Sequence, residues 1–325
     1  MRAVVYRGAG DGSVIALDDV AAPALKAGQV RISVRASGVN RADLGQRKGV
    51  YPPPPGESDI PGMEAAGVVT ETHADARRFK AGDRVMALLG GGGYAEDVCV
   101  DEGLVLPLPD GLSFEQGAGI PEAFVTAHLN LFDLAGVRSG KSALIHAGAS
   151  GVGTAAIQLV CAAGARAFAT AGSPEKTGLC RKLGAVAIDY KRVDFAEAVL
   201  EGTNGRGVDA ILDPVGASNL DADLKCLAVG GTLVLIGTMG GKDGKFDVSQ
   251  LMRKRHRVIG STLRGLPLAE KIAAVERFRA GFFEYMASGK IAPVMDRIFP
   301  FSEARQAQER MESNLNSGKI VLTWR

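Results

Sequence analysis

The first 120 residues alternate between short apolar runs and turns. Val30, Ile32 and Val34 are separated by polar residues, a period of two that predicts a half-buried strand. Three more segments have this character: residues 64–70, a turn feeding a strand at 81–85, and 94–100. Many short strands joined by turns favour a compact β-barrel. The proline run at 51–56 lacks the amides that a strand ladder needs and is predicted to be loop or polyproline II.

From about residue 123 the pattern changes to apolar strands alternating with helices. The predicted helices cover residues 126–134, 151–163, 174–183 and 195–200. The predicted strands cover residues 142–146, 166–170, 187–190, 208–213 and 232–237. This alternation predicts an α/β domain with a doubly wound parallel sheet. From about residue 262 the chain returns to helices and ends in a strand at 319–323.

Composition narrows the class of protein. At 325 residues the chain is long enough for about two domains. Its 38 basic and 36 acidic residues give a net charge of +2, which argues against a nucleic-acid partner. The N-terminus has no apolar signal sequence, so we expect a cytoplasmic protein with reduced cysteines. Residues 142–165 carry no charge, but their glycines make a membrane span a poor interpretation.

Residues 146–153, His-Ala-Gly-Ala-Ser-Gly-Val-Gly, form the strongest local motif. They follow an apolar strand and open a helix, the context in which a dinucleotide-binding loop occurs. Gly148 is expected to permit the tight turn, and Gly153 to let the helix approach the strand. The amides of residues 150–152 would hold a pyrophosphate at the helix N-terminus. Ser150 stands where the fingerprint usually has its second glycine, so a plain glycine turn stays an alternative.

The end of the next strand bears on the choice of cofactor. NAD sites place an acidic residue there, whereas residues 170–173 are neutral. Ser173 and Lys176 offer a hydroxyl and a cation that suit a ribose 2′-phosphate. Glu175 is more simply interpreted as a residue of the first helical turn, and Lys176 as a solvated lysine is the alternative. The segment therefore favours NADP.

Eight segments together resemble one family. They are residues 38–43, 49–56, 62–67, 81–85, 146–153, 170–173, 182–185 and 318–322. In this order they resemble the zinc-independent, zeta-crystallin-like quinone oxidoreductases of the medium-chain dehydrogenase/reductase superfamily. The likeness is greatest to the tumour-suppressor-inducible type and covers nearly the whole chain.

The resemblance implies a GroES-like β-barrel catalytic domain, residues 1–122 and 262–325, and a Rossmann dinucleotide-binding domain, residues 123–261. It also implies NADPH as cofactor, a homodimer or homotetramer, and an active site in the cleft between domains. Zinc-dependent relatives have a cysteine in place of Asn40 and a histidine in place of Met63. Since an amide and a thioether cannot replace these ligands, we expect no metal.

The resemblance also assigns tentative roles to individual residues. Asn40 and Tyr51 would position the substrate, with Asp43 and Gln46 nearby, although Tyr51 could simply anchor the proline loop and Asp43 could cap a helix. No acid is evident, so the chemistry would depend on the cofactor and on positioning.

The cofactor residues follow by position. Asn40 and Thr126 would approach the nicotinamide ribose, and Gly237, Leu263 and Asn316 would lie near the nicotinamide. The loop residues Gly148, Ser150, Gly151, Val152 and Gly153 would hold the pyrophosphate, and Gly172, Ser173, Lys176 and Tyr190 the adenosine phosphate. His128, His73 and His146 receive no role, and the basic run at 253–257 is interpreted as a solvated helix end.

Three functions remain open from the sequence. The first is NADPH-dependent reduction of quinones, small molecules that are electrophilic without activation. The second is reduction of an activated double bond in an enone or enoyl thioester, with Tyr51 as proton donor. The third is a non-catalytic NADPH-binding protein with a sensing or structural role. The physiological acceptor depends on loops such as residues 90–93, which a pattern does not describe.

Overall fold

The computed structural model describes residues 1–324 and consists of strands and helices of moderate length. The strands are β1 (Arg2–Tyr6), β2 (Ile15–Asp19), β3 (Gln29–Val39), β4 (Glu64–Thr72), β5 (Arg84–Leu88), β6 (Asp97–Asp101), β7 (Val105–Pro107), β8 (Ser142–Ile145), β9 (Arg166–Ala171), β10 (Val186–Asp189), β11 (Val208–Asp213), β12 (Leu227–Leu235), β13 (Arg257–Gly260), β14 (Met295–Pro300) and β15 (Lys319–Thr323).

The helices are α1 (Arg41–Arg47), α2 (Phe114–Gly117), α3 (Pro121–His128), α4 (Gly151–Ala162), α5 (Pro174–Lys182), α6 (Phe195–Gly202), α7 (Leu220–Cys226), α8 (Val248–Arg253), α9 (Leu268–Ala287) and α10 (Ala304–Glu312). The chain folds into two compact units. Unit 1 contains Met1–Val125 and the chain from Arg264 onward, and unit 2 contains Thr126–Leu263.

Unit 1 is built around a seven-stranded sheet. Its order is β14-β15-β3-β4-β5-β7, and β6 also pairs with β3. In β3, Val30, Ile32 and Val34 are all buried, which confirms the predicted alternation. Strand β15 pairs antiparallel with the end of β3, so that Ile320 lies opposite Val39. This pairing places Lys319 beside the start of α1, and the polar cluster described below depends on it.

Unit 2 is a parallel sheet of order β10-β9-β8-β11-β12-β13. This strand order is typical of dinucleotide-binding domains. The order of strands across the sheet reverses between β8 and β11, although these two strands are parallel. Its core contains buried Leu144, Phe168, Ile211 and Leu233 from four neighbouring strands. The predicted doubly wound α/β class is confirmed, and the strand over 319–323 has the predicted bounds.

Several predicted bounds were wrong. The helix expected over 126–134 begins at Pro121, and residues Leu129–Leu134 form a π-helix. The strand expected over 94–100 begins at Asp97. The basic run at 253–257 starts at the exposed last residue of α8, Arg253, as expected, and continues through a turn at 254–255 into β13. Within residues 1–324, no helix combines the length and the apolar character that a bilayer span requires.

Candidate active site

The glycine loop of unit 2 joins β8 to α4. The Ser150 hydroxyl accepts a hydrogen bond from the Gly153 amide at 3.0 Å and caps the helix. A Cβ at Gly153 would overlap the Ala147 carbonyl oxygen, so only glycine permits this approach. Ala147 adopts the left-handed conformation in this loop, with φ of 51°. Gly148 is needed because a Cβ there would lie 2.8 Å from that of Ala169.

This loop has the features of a pyrophosphate cradle. Gly151 and Val152 form the first turn of α4, where amides and helix dipole favour an anion. Gly148 and Gly153 have no room for a Cβ atom, so these two glycines permit the close approach of strand and helix at this turn. The residues predicted to hold the pyrophosphate are therefore together, and their contact with a cofactor stays a prediction.

The predicted adenosine-phosphate residues also lie together in unit 2. A Cβ at Gly172 would lie 2.7 Å from the Tyr190 hydroxyl, so the ring covers this glycine. The Ser173 hydroxyl accepts a hydrogen bond from the Lys176 amide at 3.3 Å and caps α5. Ser173 thus has a structural role in addition to any phosphate contact. Glu175 lies in the first turn, as expected.

The residue preceding the loop, His146, has buried partners that sequence reasoning missed. Its Nε2 lies 2.7 Å from Asp223 Oδ1, and its Nδ1 lies 2.9 Å from the Thr170 hydroxyl. Burial lowers the pKa of His146, but the nearby Asp223 carboxylate more than offsets this and the net shift is upward. Asp223 is 77 residues away along the chain, so spacing gave no sign of the pair.

The nicotinamide residues predicted from the resemblance lie in both units. In unit 2, Thr126 and Leu263 are buried, and a Cβ at Gly237 would lie 2.6 Å from the Pro214 carbonyl oxygen. In unit 1, the Asn316 amide donates to the Gly318 carbonyl at 3.0 Å. Their approach to a cofactor stays a prediction.

A buried polar cluster in unit 1 surrounds Asn40. The Asn40 amide donates to Glu64 Oε1 at 2.9 Å, and its oxygen accepts from Lys319 Nζ at 2.7 Å. Lys319 Nζ also lies 2.5 Å from Glu64 Oε1 and 3.3 Å from the Val39 carbonyl oxygen. The polar atoms of Asn40 are thus engaged inside the protein, and its predicted contact with substrate or cofactor stays a prediction.

The same cluster bears on the zinc that the metal-dependent relatives bind. Asn40 is bonded to an ammonium group, and Met63 is a buried thioether. Among residues 1–324, no group of three or more histidine, cysteine, aspartate or glutamate side chains has metal-binding proximity. A tetrahedral zinc site needs such a set, so the residues present do not fit zinc.

Asp43 stabilises the turn between β3 and α1. Its Oδ2 accepts a hydrogen bond from the backbone amide of Asn40 at 2.7 Å and another from the Tyr94 hydroxyl at 3.0 Å. Asn40 and Asp43 form a capping box, which confirms the alternative that Asp43 caps a helix. Complete burial raises the pKa of Asp43 to about 6.

Glu122 is a partly buried acid that sequence reasoning did not single out. It is the second residue of α3, and its backbone amide donates to Glu64 Oε2 at 2.9 Å. Its own Oε2 is buried and finds no hydrogen-bond partner in residues 1–324. Burial, with the Glu64 charge adding to it, raises the pKa of Glu122 to about 8. At neutral pH this carboxyl therefore holds a proton.

Tyr51 lies beside an arginine that the sequence did not single out. Arg264 places its Cζ 5.6 Å from the centre of the half-buried Tyr51 ring. Its Nη2 donates to Gln46 Oε1 and its Nε to the Gly90 carbonyl, both at 2.8 Å. Burial, with a smaller contribution from Glu122, raises the pKa of Tyr51. The predicted proximity of Gln46 thus arises through Arg264.

Two family models match the chain. One, described as an alcohol dehydrogenase GroES-like domain, covers residues 26–110. The other, described as a zinc-binding dehydrogenase, covers residues 151–279. With the barrel-type sheet and the Rossmann-type sheet, they place the chain in the medium-chain dehydrogenase/reductase superfamily.

Full-length relatives define the family. The rat quinone oxidoreductase is 32% identical over 99% of this chain and 97% of its own length. The Escherichia coli quinone oxidoreductase, solved with NADPH, superposes with a TM-score of 0.87 at 28% identity and covers 99% of this chain and all of that one. The chain belongs to the zeta-crystallin-like quinone oxidoreductase family.

Two further similarities are to polyketide-type proteins. The Saccharopolyspora erythraea erythronolide synthase EryA2 is 42% identical over 97% of this chain, which spans 8% of that synthase. The CurK enoyl reductase structure superposes with a TM-score of 0.88 at 26% identity, over all of this chain and 99% of the other. The family therefore supports an oxidoreductase. The substrate classes named for these relatives differ, since some are quinone oxidoreductases and one is an enoyl reductase.

Proposed function

We propose that this chain is an NADPH-dependent reductase of quinones. The observation that carries the proposal is the Asn40–Glu64–Lys319 cluster, in which an ammonium group is bonded to the oxygen of Asn40. An amide bonded to an ammonium group and a buried thioether, Met63, do not suit a Lewis-acidic zinc, and this favours an acceptor that is electrophilic by itself, as quinones are. The rat and bacterial quinone oxidoreductases support this choice.

NADPH is the proposed reductant and supplies a hydride. The loop from Ser150 to Gly153 would bind its pyrophosphate, and Ser173, Lys176 and Tyr190 would surround the 2′-phosphate. A neutral strand end with a lysine at the next helix supports NADPH over NADH. The NADPH in the E. coli relative supports the same assignment.

The residues of unit 1 would hold the acceptor. The half-buried Tyr51 ring offers an aromatic face on which a planar quinone can stack. Asn40 and Lys319 would shape the pocket floor, because their polar atoms bond to each other and to Glu64. These roles leave proton delivery to solvent or to an internal acid.

Reduction of an activated double bond is the second candidate. It requires a proton on carbon after hydride transfer, and Glu122 holds a proton at neutral pH in a position that also influences Tyr51. The likeness to an enoyl reductase structure favours it as well. A quinone needs no such positioned carbon acid.

Steady-state oxidation of NADPH, with NADH alongside, tests both candidates. The acceptors are ortho- and para-quinones, an enone and an enoyl thioester. We expect turnover with quinones and a preference for NADPH. Turnover with the enone or thioester alone would move the function to the second candidate, and cofactor binding without turnover would favour a sensor or structural protein.

We also propose a homodimer, formed through unit 2. Strand β13 is an edge strand of the parallel sheet, and Val258 on it is exposed, as is nearby Met252. Exposed apolar edge strands are sites of strand pairing between chains. Light scattering at several concentrations tests this, with Val258→Lys expected to yield monomers; a tetramer in the wild type would extend the proposal. A cytoplasmic location stays a prediction.

A further inference from the structure

Arg264 is a buried cation with one unused hydrogen-bond donor. Its side chain is 4% exposed, and two of its nitrogens donate to Gly90 and Gln46. The third, Nη1, is buried and has no hydrogen-bond partner in residues 1–324. Leaving a buried donor of a charged group unsatisfied is costly, so Nη1 is suited to donate to a bound ligand.

No carboxylate in the described part of unit 1 forms an ion pair with Arg264. The Asp43 carboxylate is close enough to Arg264 for the two charges to interact. Its oxygens, however, accept hydrogen bonds from Asn40, Tyr94 and Gly62. Glu122 holds a proton at neutral pH because burial raises its pKa to about 8. Asp43 thus supplies a nearby negative charge but no hydrogen bond to the guanidinium. Arg264 Nη1 therefore stays available to a further acceptor, and an anionic oxygen suits a cationic donor best.

Arg47 shows what a satisfied buried arginine in this unit looks like. Its three nitrogens donate to the Gly10 carbonyl at 3.3 Å, to Gln308 at 3.1 Å and to Glu312 at 2.7 Å. Arg47 and Arg264 are both enclosed, yet of the two only Arg264 keeps a donor unused. The difference lies in the partners and not in the degree of burial.

The position of the unused donor indicates the ligand. The guanidinium lies over one face of the Tyr51 ring, and the proposed function places a planar acceptor against the same ring, next to Arg264. We propose that Arg264 Nη1 binds the acceptor oxygen that becomes negatively charged during reduction, which makes Arg264 a catalytic residue of this reaction. The proposal rests on the function given above and assigns its oxyanion-binding group.

The C4–H bond of the bound nicotinamide would break, and its hydride would form an O–H bond at one quinone oxygen, which leaves NADP⁺. The carbonyl π electrons move to the second oxygen and give a hydroquinone monoanion, which the Arg264 N–H stabilises. A proton from solvent then gives the neutral hydroquinone. A donor aimed at developing charge stabilises the transition state more than the neutral acceptor.

A binding experiment tests the assignment without turnover. 4-Nitrophenol, whose phenolate has its own absorbance band, stands in for the hydroquinone monoanion and is titrated into the full chain with NADP⁺ present. We expect the wild type to favour the phenolate and so lower the pKa of the bound phenol. Arg264→Gln should weaken phenolate binding about 10- to 100-fold, as expected for loss of a charge-assisted hydrogen bond.

Two further variants keep the test decisive. Arg47→Lys changes a buried arginine that shares no hydrogen-bond partner with Arg264, and it should leave phenolate binding unchanged. Gln46→Leu removes the Nη2 partner, keeps the charge, and should weaken binding less than Arg264→Gln does. Circular dichroism checks that each variant folds.

The outcomes separate the two proposals. Equal phenolate affinity in wild type and Arg264→Gln, or no binding by the wild type, would overturn the role of Arg264. Arg264-dependent phenolate binding without turnover of any quinone would keep the oxyanion site and overturn the quinone reductase function. Quinone turnover that Arg264→Gln leaves unaltered would keep the quinone reductase function and overturn the oxyanion-binding role of Arg264.

Discussion

The Lys319 ammonium and the Glu64 carboxylate form a buried ion pair, with Nζ and Oε1 separated by 2.5 Å. The side chains are 3% and 0% exposed. A Cβ at Gly38 would overlap Glu64 Oε1, so the glycine makes room for the carboxylate. The pairing of β15 with β3 brings together residues 255 positions apart in sequence. The last strand of the chain thus completes the polar cluster around Asn40.

Lys319→Met should destabilise unit 1 strongly. It leaves the Glu64 charge buried without its cation, and breaking such a pair typically costs about 3–5 kcal/mol of unfolding free energy. Urea unfolding measures the change. Lys225→Met removes an exposed pair with Asp221 and serves as control, and it should leave the unfolding free energy nearly unchanged because exposed ion pairs contribute little. Equal losses in the two variants would contradict the importance of the buried pair.

Lys176→Ala should reduce the preference for NADPH. Loss of a cation at the 2′-phosphate is expected to raise KM for NADPH about 10-fold or more and to leave KM for NADH nearly unchanged. Lys182→Ala, in the last turn of the same helix, is the matched control because it removes one charge far from the Ser173 cap. A parallel rise in KM for both cofactors would refute the assignment.

The sequence predicted the features that depend on local pattern. The glycine loop, the alternation in β3 and the helix cap at Asp43 are each set by residues close in sequence. The bounds of α3 were missed because Pro121 is a favourable first residue of a helix and the π-helical turn has no clear periodicity.

The partnerships in the candidate site could not be predicted from the chain. Lys319 reaches Glu64, and Arg264 reaches Gly90, only after strands and loops far apart in sequence have assembled. Burial also changes chemistry without changing the residue: Glu122 looks like an ordinary helix-start glutamate until its surroundings raise its pKa to about 8. Spacing conveys neither effect.

Asp223→Asn should weaken the support beneath the cofactor loop. It removes the carboxylate that lies 2.7 Å from His146, and the expected loss is about 3–5 kcal/mol of stability at pH 6. Because the pair raises the pKa of His146 above its unfolded value of 6.5, its contribution is full below pH 6.5 and falls as the pH rises through the folded pKa. Thermal unfolding from pH 5.5 to 8.5 measures this, with exposed Asp221→Asn as control. A difference independent of pH would contradict the charged pair.

Chelation should leave the protein unaffected. The donor set around Asn40 and Met63 does not fit zinc, so prolonged dialysis against EDTA is expected to change neither Tm nor quinone turnover. Elemental analysis of the purified chain should find substoichiometric zinc. A stoichiometric zinc ion whose removal lowers activity would show that ligands other than these are used.

Glu122→Gln should reveal the proton held at the start of α3. The wild-type carboxyl has a folded pKa of about 8 against an ordinary value of 4.5. Between these limits the folded state binds a proton that the unfolded state has lost, so wild-type stability falls as pH rises, by about 1.4 kcal/mol per pH unit from this group. The amide does not titrate. The stability difference, variant minus wild type, should therefore increase from pH 5 to 8 and level off above it.

The same variant separates the two candidate reactions. Without the Glu122 proton, reduction of an enone should slow, whereas quinone reduction should continue, because hydroquinone oxygens take protons from solvent. Glu115→Gln, at an acidic residue in the first turn of α2, controls for the loss of one carboxylate. A flat stability difference across this pH range would mean that Glu122 is ionised in the folded state, and it would remove the argument for a carbon acid in this site.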